Sequence, residues 1–214
     1  MTRFRSVAID VDSTLCGLEG IDWLARRKGT EVATKVAELT SRAMDGSIAL
    51  DEVYGERLKL VAPTREEVSA LGAAYSQSVA SGGFETIRTM QAAGVDVHLI
   101  SGGLIDAVSH VAERIPLDAA KVHAVEIYFN EDGSYLGFDT ASPLTRQSGK
   151  RELLKELRML PPVLMVGDGM TDVETRPAVD AFAAFTGFVR REQTVAAADH
   201  VVSNFHELLE LVMK

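Results

Sequence analysis

Short apolar runs and helix-spaced stripes alternate through most of the chain, with one long helical stretch set between the first strand and the rest. Residues 6–10, Ser-Val-Ala-Ile-Asp, are apolar on both faces up to the aspartate, the pattern of a short strand buried on each side. From Glu19 to about Tyr75 the period changes. Ile21, Leu24 and Ala25 form one stripe, Val32, Val36 and Leu39 a second, and Val53, Leu58 and Val61, with Arg57 on the same face, a third. Gly29-Thr30 and Asp45-Gly46 punctuate them, and Thr64-Arg-Glu-Glu67 behind Pro63 is a capping box that opens a fourth helix.

Ser81-Gly82-Gly83 marks the return to alternation. A helix is predicted over 84–93 with Gly94 as its stop, a strand over 95–100, and a helix over 104–114 ended by Pro116. Strands over 122–129 and 135–138 flank the turn Asn130-Glu-Asp-Gly133. A helix over 149–159 precedes Pro161-Pro162 and a strand over 163–166. Weaker strands at 181–185 and 200–202 and an amphipathic helix over 205–213 complete the pattern. Strand–helix alternation with buried strands predicts an α/β fold: a Rossmann-like, mostly parallel sheet with right-handed crossovers. The expected division is a core of residues 1–15 and 80–214 and a small helical cap of residues 16–79 inserted after the first strand.

In an open parallel sheet, ligands bind beyond the carboxyl ends of the strands, so the polar residues that stop each strand carry the chemistry. The first strand runs into Asp10-Val-Asp12-Ser-Thr14, the second into Ser101-Gly102-Gly103, and the third into Gly167-Asp168-Gly-Met-Thr-Asp172. Lys150 follows Ser148-Gly149 at a helix start. Each fragment alone is ordinary loop chemistry; their joint occurrence at successive strand ends is not. Acids for a hard cation, one amine and several hydroxyl and backbone donors suit phosphoryl transfer, which depends on positioning and charge neutralisation. Magnesium takes a few carboxylate oxygens, which Asp10 and Asp168 can supply. Asp12, two residues beyond Asp10, would face the same side of a continuing strand. One aspartate could then serve as nucleophile and the other as general acid and base.

Composition narrows the partners. With 31 acidic and 22 basic residues the formal charge is -9, against a nucleic-acid or anionic-membrane binder and neutral toward a small anionic substrate. Asp10 and Asp12 interrupt any signal-like apolar run, and no uncharged stretch approaches the roughly 18 residues of a membrane span. Cys16 is the only cysteine, so no internal disulfide forms; the expectation is a soluble, cytoplasmic protein. A Cys16 nucleophile is the weaker alternative, since no histidine lies near it in sequence.

The four ordered motifs Asp10-Val-Asp-Ser-Thr14, Ser101, Lys150 and Gly167-Asp-Gly-Met-Thr-Asp172 resemble those of the haloacid dehalogenase-like phosphatases across nearly the whole chain. Within them the likeness is to the phosphoserine phosphatase family, carried also by Glu19-Gly-Ile-Asp22, Arg42-Ala-Met44, Glu56-Arg57-Leu58, Leu99-Ile-Ser-Gly-Gly103 and Gly137-Phe-Asp139. The resemblance implies hydrolysis of O-phosphoserine, the last step of serine synthesis, through an aspartyl-phosphate on Asp10, with Asp12 as acid and then base. It implies magnesium on the Asp10 and Asp168 side chains and the Asp12 carbonyl, and a phosphoryl group held by Ser101, Gly102 and Lys150. Asp172 and Thr14 would orient these groups. Glu19 and Arg57 would grip the substrate ammonium and carboxylate, with Met44 and Leu50 as pocket walls.

Departures are Cys16-Gly17-Leu18, Thr171 in place of asparagine and Leu50 in place of phenylalanine. His98, His110 and Trp23 read as structural, and Arg26-Arg-Lys28 and Arg190-Arg191 as exposed. A phosphotransferase to another alcohol shares every motif. A scaffold that only binds phosphometabolites should have lost an acid or the lysine, and none is missing. Oligomeric state is not encoded in any of these patterns.

Overall fold

The computed structural model describes residues 2–45, 47–115 and 117–214, apart from the side chain of Met44. Strand β1 (Ser6–Ile9) is followed by four helices, α1 (Gly20–Arg26), α2 (Thr30–Met44), α3 (Leu50–Val61) and α4 (Arg65–Gln77). Then come α5 (Gly83–Ala92), β2 (Asp96–Leu104), α6 (Ile105–Ala112), β3 (Val122–Val125), β4 (Ile127–Phe129) and β5 (Tyr135–Phe138). The chain closes with α7 (Gly149–Leu157), β6 (Val163–Gly167), α8 (Met170–Val173), β7 (Ala181–Phe185), α9 (Glu192–Ala197), β8 (His200–Val202) and α10 (Phe205–Met213).

Six strands form one parallel sheet in the order β3-β2-β1-β6-β7-β8. The order runs outward in both directions from β1, so the topological switch point lies between β1 and β6, and a crevice opens at their carboxyl ends. Every residue of β1, β6 and β7 is buried, as their unbroken apolar runs require. The register places Ile9 beside Val166 and the Asp10 N–H on the Val166 carbonyl at 3.0 Å. Asp10 is therefore level with Gly167, and Asp168 emerges one residue further along.

Two strand readings are corrected. Residues 122–129 are not one strand: Glu126 interrupts them, so β3 joins the parallel sheet while β4 pairs antiparallel with β5. Strand β2 continues four residues past Ile100, through a register shift, to pair Leu104 with Val125. Helix α6 accordingly starts at Ile105. Pro116, expected to stop that helix, and Gly46 lie outside the described residues.

The helical stretch forms as read. Thr64 Oγ1 accepts from the Glu67 N–H while Glu67 accepts from the Thr64 N–H, the reciprocal bonds of a capping box. The segments leading in and out of the four helices run side by side: Gly17 N–H donates to Ser78 O at 2.9 Å and Ala80 N–H to Leu15 O at 2.8 Å. Helix α4 packs on α6, and individual contacts tie α3 and the start of α4 to the β4–β5 hairpin. There the Tyr54 and Phe138 rings lie 5.3 Å apart, and Arg65 N–H donates to Gly133 O at 2.9 Å. Among the described residues no helix is long and apolar enough to cross a membrane.

Candidate active site

The tips of β1 and β6 bring four charged side chains into one buried cluster. Asp10 leaves β1, Asp168 leaves β6, Asp172 comes from the single turn of α8, and Lys150 from the first turn of α7. Lys150 Nζ donates to Asp10 Oδ1 at 2.5 Å and to Asp172 Oδ1 at 2.6 Å. Asp172 Oδ2 accepts from the Gly169 N–H at 3.0 Å, which fixes the carboxylate under the end of β6. That approach demands glycine at 167, where a Cβ would lie 2.1 Å from Asp172 Cγ. Thr14 Oγ1 donates to Asp168 at 3.4 Å.

Burial pushes the Asp10 carboxyl well above the ordinary carboxylate range, against the pull of Lys150. Burial likewise raises Asp168, helped by Glu19 and opposed by Arg191. Burial alone would lower the Lys150 ammonium, yet Asp10 and Asp172 together raise it above its usual range, so it stays charged. Carboxylate oxygens of Asp10, Asp168 and Asp172 all lie within 4.8 Å of one another. Three buried carboxylates offering hard oxygens this close together are the donor set that a small divalent cation would neutralise. The residues fit such an ion.

Asp12 stands apart from this trio. Its Oδ1 accepts from Tyr75 Oη at 2.5 Å and from the Gly20 N–H at 3.0 Å. Burial, then the nearby Glu19 carboxylate, push Asp12 up to about 7, against the two hydrogen bonds. A carboxyl titrating there can both give and take a proton near neutral pH. Ser13, between the two aspartates, sits at φ 53, a left-handed conformation that turns the chain back on itself. Its Oγ donates to Glu19 Oε1 at 2.7 Å.

Above these groups lies a pocket whose floor is Asp10, Asp12, Asp168, Asp172 and Lys150. Glu19, Ile21, Leu50, Tyr54 and Arg57 come down from the helical stretch to complete it. Gly102 reaches the lining and its carbonyl accepts from Tyr54 Oη at 2.8 Å. Ser101 is fully buried, with its Oγ accepting from the Gly103 N–H at 2.9 Å. Arg57 is buried and 3.5 Å from Asp22, which Thr40 also bonds at 2.7 Å. Its Nε has no hydrogen-bond partner among the described residues. Leu50 walls the pocket as expected; the Met44 side chain lies outside the described residues.

Arg191 is the correction. Read from sequence as an exposed charge, it folds inward from the loop before α9, with its side chain 18% exposed. It pairs directly with Asp168 and lies 3.7 Å from Glu19. Tyr54 and Tyr75 were also missed as site residues, because aromatic positions in helical stripes read as core.

The family model for haloacid dehalogenase-like hydrolases matches residues 4–180, and the chain belongs to that family. Human phosphoserine phosphatase is 40% identical over 207 residues, covering 95% of this chain and 91% of the human protein. The chloroplastic phosphoserine phosphatase of Arabidopsis thaliana is 34% identical over 210 residues, covering 96% of this chain and 70% of that protein. Within the hydrolases, then, this chain falls in the phosphoserine phosphatase family. The crystal structure of a phosphoserine phosphohydrolase-like protein from Francisella tularensis shares the fold, with a TM-score of 0.89 at 23% identity over 98% of this chain and 100% of that one.

Proposed function

We propose that this protein hydrolyses O-phospho-L-serine to L-serine and inorganic phosphate through an aspartyl-phosphate on Asp10. The observation that carries the chemistry is the buried Lys150 ammonium held between Asp10 and Asp172 at the mouth of β1 and β6. The substrate reading draws on the relatives named above.

In the first step an Asp10 carboxylate oxygen bonds to phosphorus as the ester P–O bond breaks, and the Asp12 carboxyl proton passes to the serine oxygen. In the second, water bonds to phosphorus, the P–O bond to Asp10 breaks, and the water proton returns to Asp12. Lys150 and the Ser101–Gly102 segment hold phosphoryl oxygens. Asp172 keeps Lys150 aimed at Asp10 and Thr14 steadies Asp168. Asp10, Asp168 and the Asp12 carbonyl are the proposed holders of Mg2+, with Asp172 close enough to share it; the ion would supply charge neutralisation of the phosphoryl oxygens.

Arg57, with a buried donor to spare, takes the substrate carboxylate, and Glu19 its ammonium. Residues 16–79 act as a cap over a core of 1–15 and 80–214, a division supported by the paired segments at Gly17–Ser78 and Leu15–Ala80. The proposed setting is the cytoplasm, where a lone buried thiol such as Cys16 stays reduced.

Phosphate release across a panel of small phosphorylated metabolites, with and without magnesium, tests the reading. L-phosphoserine should give the highest kcat/KM, and only with the ion. A rate on phosphoserine no higher than on an aryl phosphate, at equal enzyme and magnesium, would remove the substrate assignment.

A further inference from the structure

Asp12 is held in an asymmetric way. Tyr75 and the Gly20 N–H both donate to its Oδ1, while its Oδ2 has no hydrogen-bond partner among the described residues. The convergence is tight. A Cβ at Gly20 would lie 2.2 Å from the Tyr75 hydroxyl oxygen, so a side chain there would expel the phenol. Gly103 approaches both groups: its ideal Cβ position is 3.0 Å from Ser101 Oγ, 3.2 Å from the Tyr75 hydroxyl oxygen and 3.4 Å from Asp12 Oδ2. Of the two carboxylate oxygens, Oδ2 is the nearer to Gly103, and Oδ1 is taken by Tyr75 and Gly20.

A free carboxylate gains nothing from one oxygen over the other, because its last torsion is broad and two-fold. Two donors on one oxygen break that symmetry. We propose that Tyr75 is a positioning residue for proton transfer: by anchoring Oδ1 it leaves Oδ2 alone to carry the proton to the leaving oxygen and to receive it from water. The proposal rests on Asp12 being the acid and base of the reaction.

Tyr75 is fully buried at the end of α4, which packs on α6, so its ring is fixed by tertiary contacts and not by the hydroxyl. Removing the hydroxyl alone isolates the anchoring role. Proton-transfer groups must sit within hydrogen-bond reach of the reacting atom, and misplacement of the order of 1 Å costs about a hundredfold in rate.

The test compares wild type, Tyr75→Phe and Asp12→Asn on 4-nitrophenyl phosphate with magnesium. Its good leaving group lets the first step proceed with little help from an acid, so loss of the base falls on hydrolysis of the phosphoenzyme. Acid-quenched samples should show the phosphorylated fraction of Tyr75→Phe rising above wild type, with kcat down about tenfold and KM lowered or within about twofold. Asp12→Asn should show the same accumulation more strongly. Wild-type phosphoenzyme levels in Tyr75→Phe, beside accumulation in Asp12→Asn, would overturn the role of Tyr75 and leave Asp12 as acid and base. No accumulation in Asp12→Asn would overturn the assignment of Asp12, and this proposal with it.

Discussion

The floor of the pocket and its roof are built on opposite principles. On the floor, Asp10, Asp172 and Lys150 answer one another at 2.5 to 2.6 Å, and Asp168 is met by Arg191 and Thr14. Lys150 and Arg191 pull the Asp10 and Asp168 carboxyls back toward the charged form, against the burial that disfavours it. The roof leaves capacity unused: among the described residues Arg57 has a buried Nε without a hydrogen bond and only a 3.5 Å approach to Asp22. A floor whose acids and cations face one another can process any phosphoryl group presented to it. An unsatisfied roof is proposed to select what is presented, because a buried donor lacking a partner favours the ligand that supplies one.

The sharpest way to break that contrast is to remove one charge from each level. Lys150→Ala should lower kcat by at least about a hundredfold on every phosphate ester, since it deletes charge stabilisation used in the transition state. Arg57→Ala should raise KM for L-phosphoserine about tenfold or more and leave an aryl phosphate within about threefold, the loss of one charge-assisted contact. Steady-state kinetics on both substrates reads the difference. Equal damage from Arg57→Ala on the two esters would show that the roof does not select.

A smaller effect concerns stability and lies away from the pocket. His98 Nδ1 and His123 Nε2 are 3.0 Å apart on the neighbouring strands β2 and β3. Burial, then His98, pushes His123 from the ordinary 6.5 down to about 4, and burial lowers His98 as well. Both rings therefore bind protons more readily in the unfolded chain. The stability they support is present above the ordinary histidine value and is lost as pH falls from 6.5 toward 4. His98 is buried and His123 partly exposed, so the slope should be on the order of 1.4 kcal/mol per pH unit, that of one full proton. The Tm should drop across that window, and His123→Gln should flatten the drop. An unchanged slope in the variant would place the acid sensitivity elsewhere.

How far this contrast could be read from sequence follows the same division. The floor was legible because each acid interrupts an apolar run at a strand end, a local signal, and because β1 and β6 are neighbours in any sheet with this switch point. Capping at Thr64–Glu67 was legible for the same reason. Arg191 was not: its partner Asp168 is 23 residues away, beyond α8 and β7, and two adjacent arginines look the same facing water or facing inward. Tyr54 and Tyr75 were hidden by their own helices, since an aromatic in an apolar stripe gives no hint of where its hydroxyl ends. The break at Glu126 was masked because apolar residues on both sides of it suit a strand, and only the partner, β2 or β5, decides which sheet each half joins.

The central claim is that phosphate passes through Asp10. Enzyme mixed with L-phosphoserine and magnesium, quenched in acid and digested, should carry phosphate on the peptide that contains Asp10, and Asp10→Asn should carry none and turn over no substrate. Phosphate on any other residue, or an Asp10→Asn enzyme that still releases phosphate at the wild-type rate, would contradict the account.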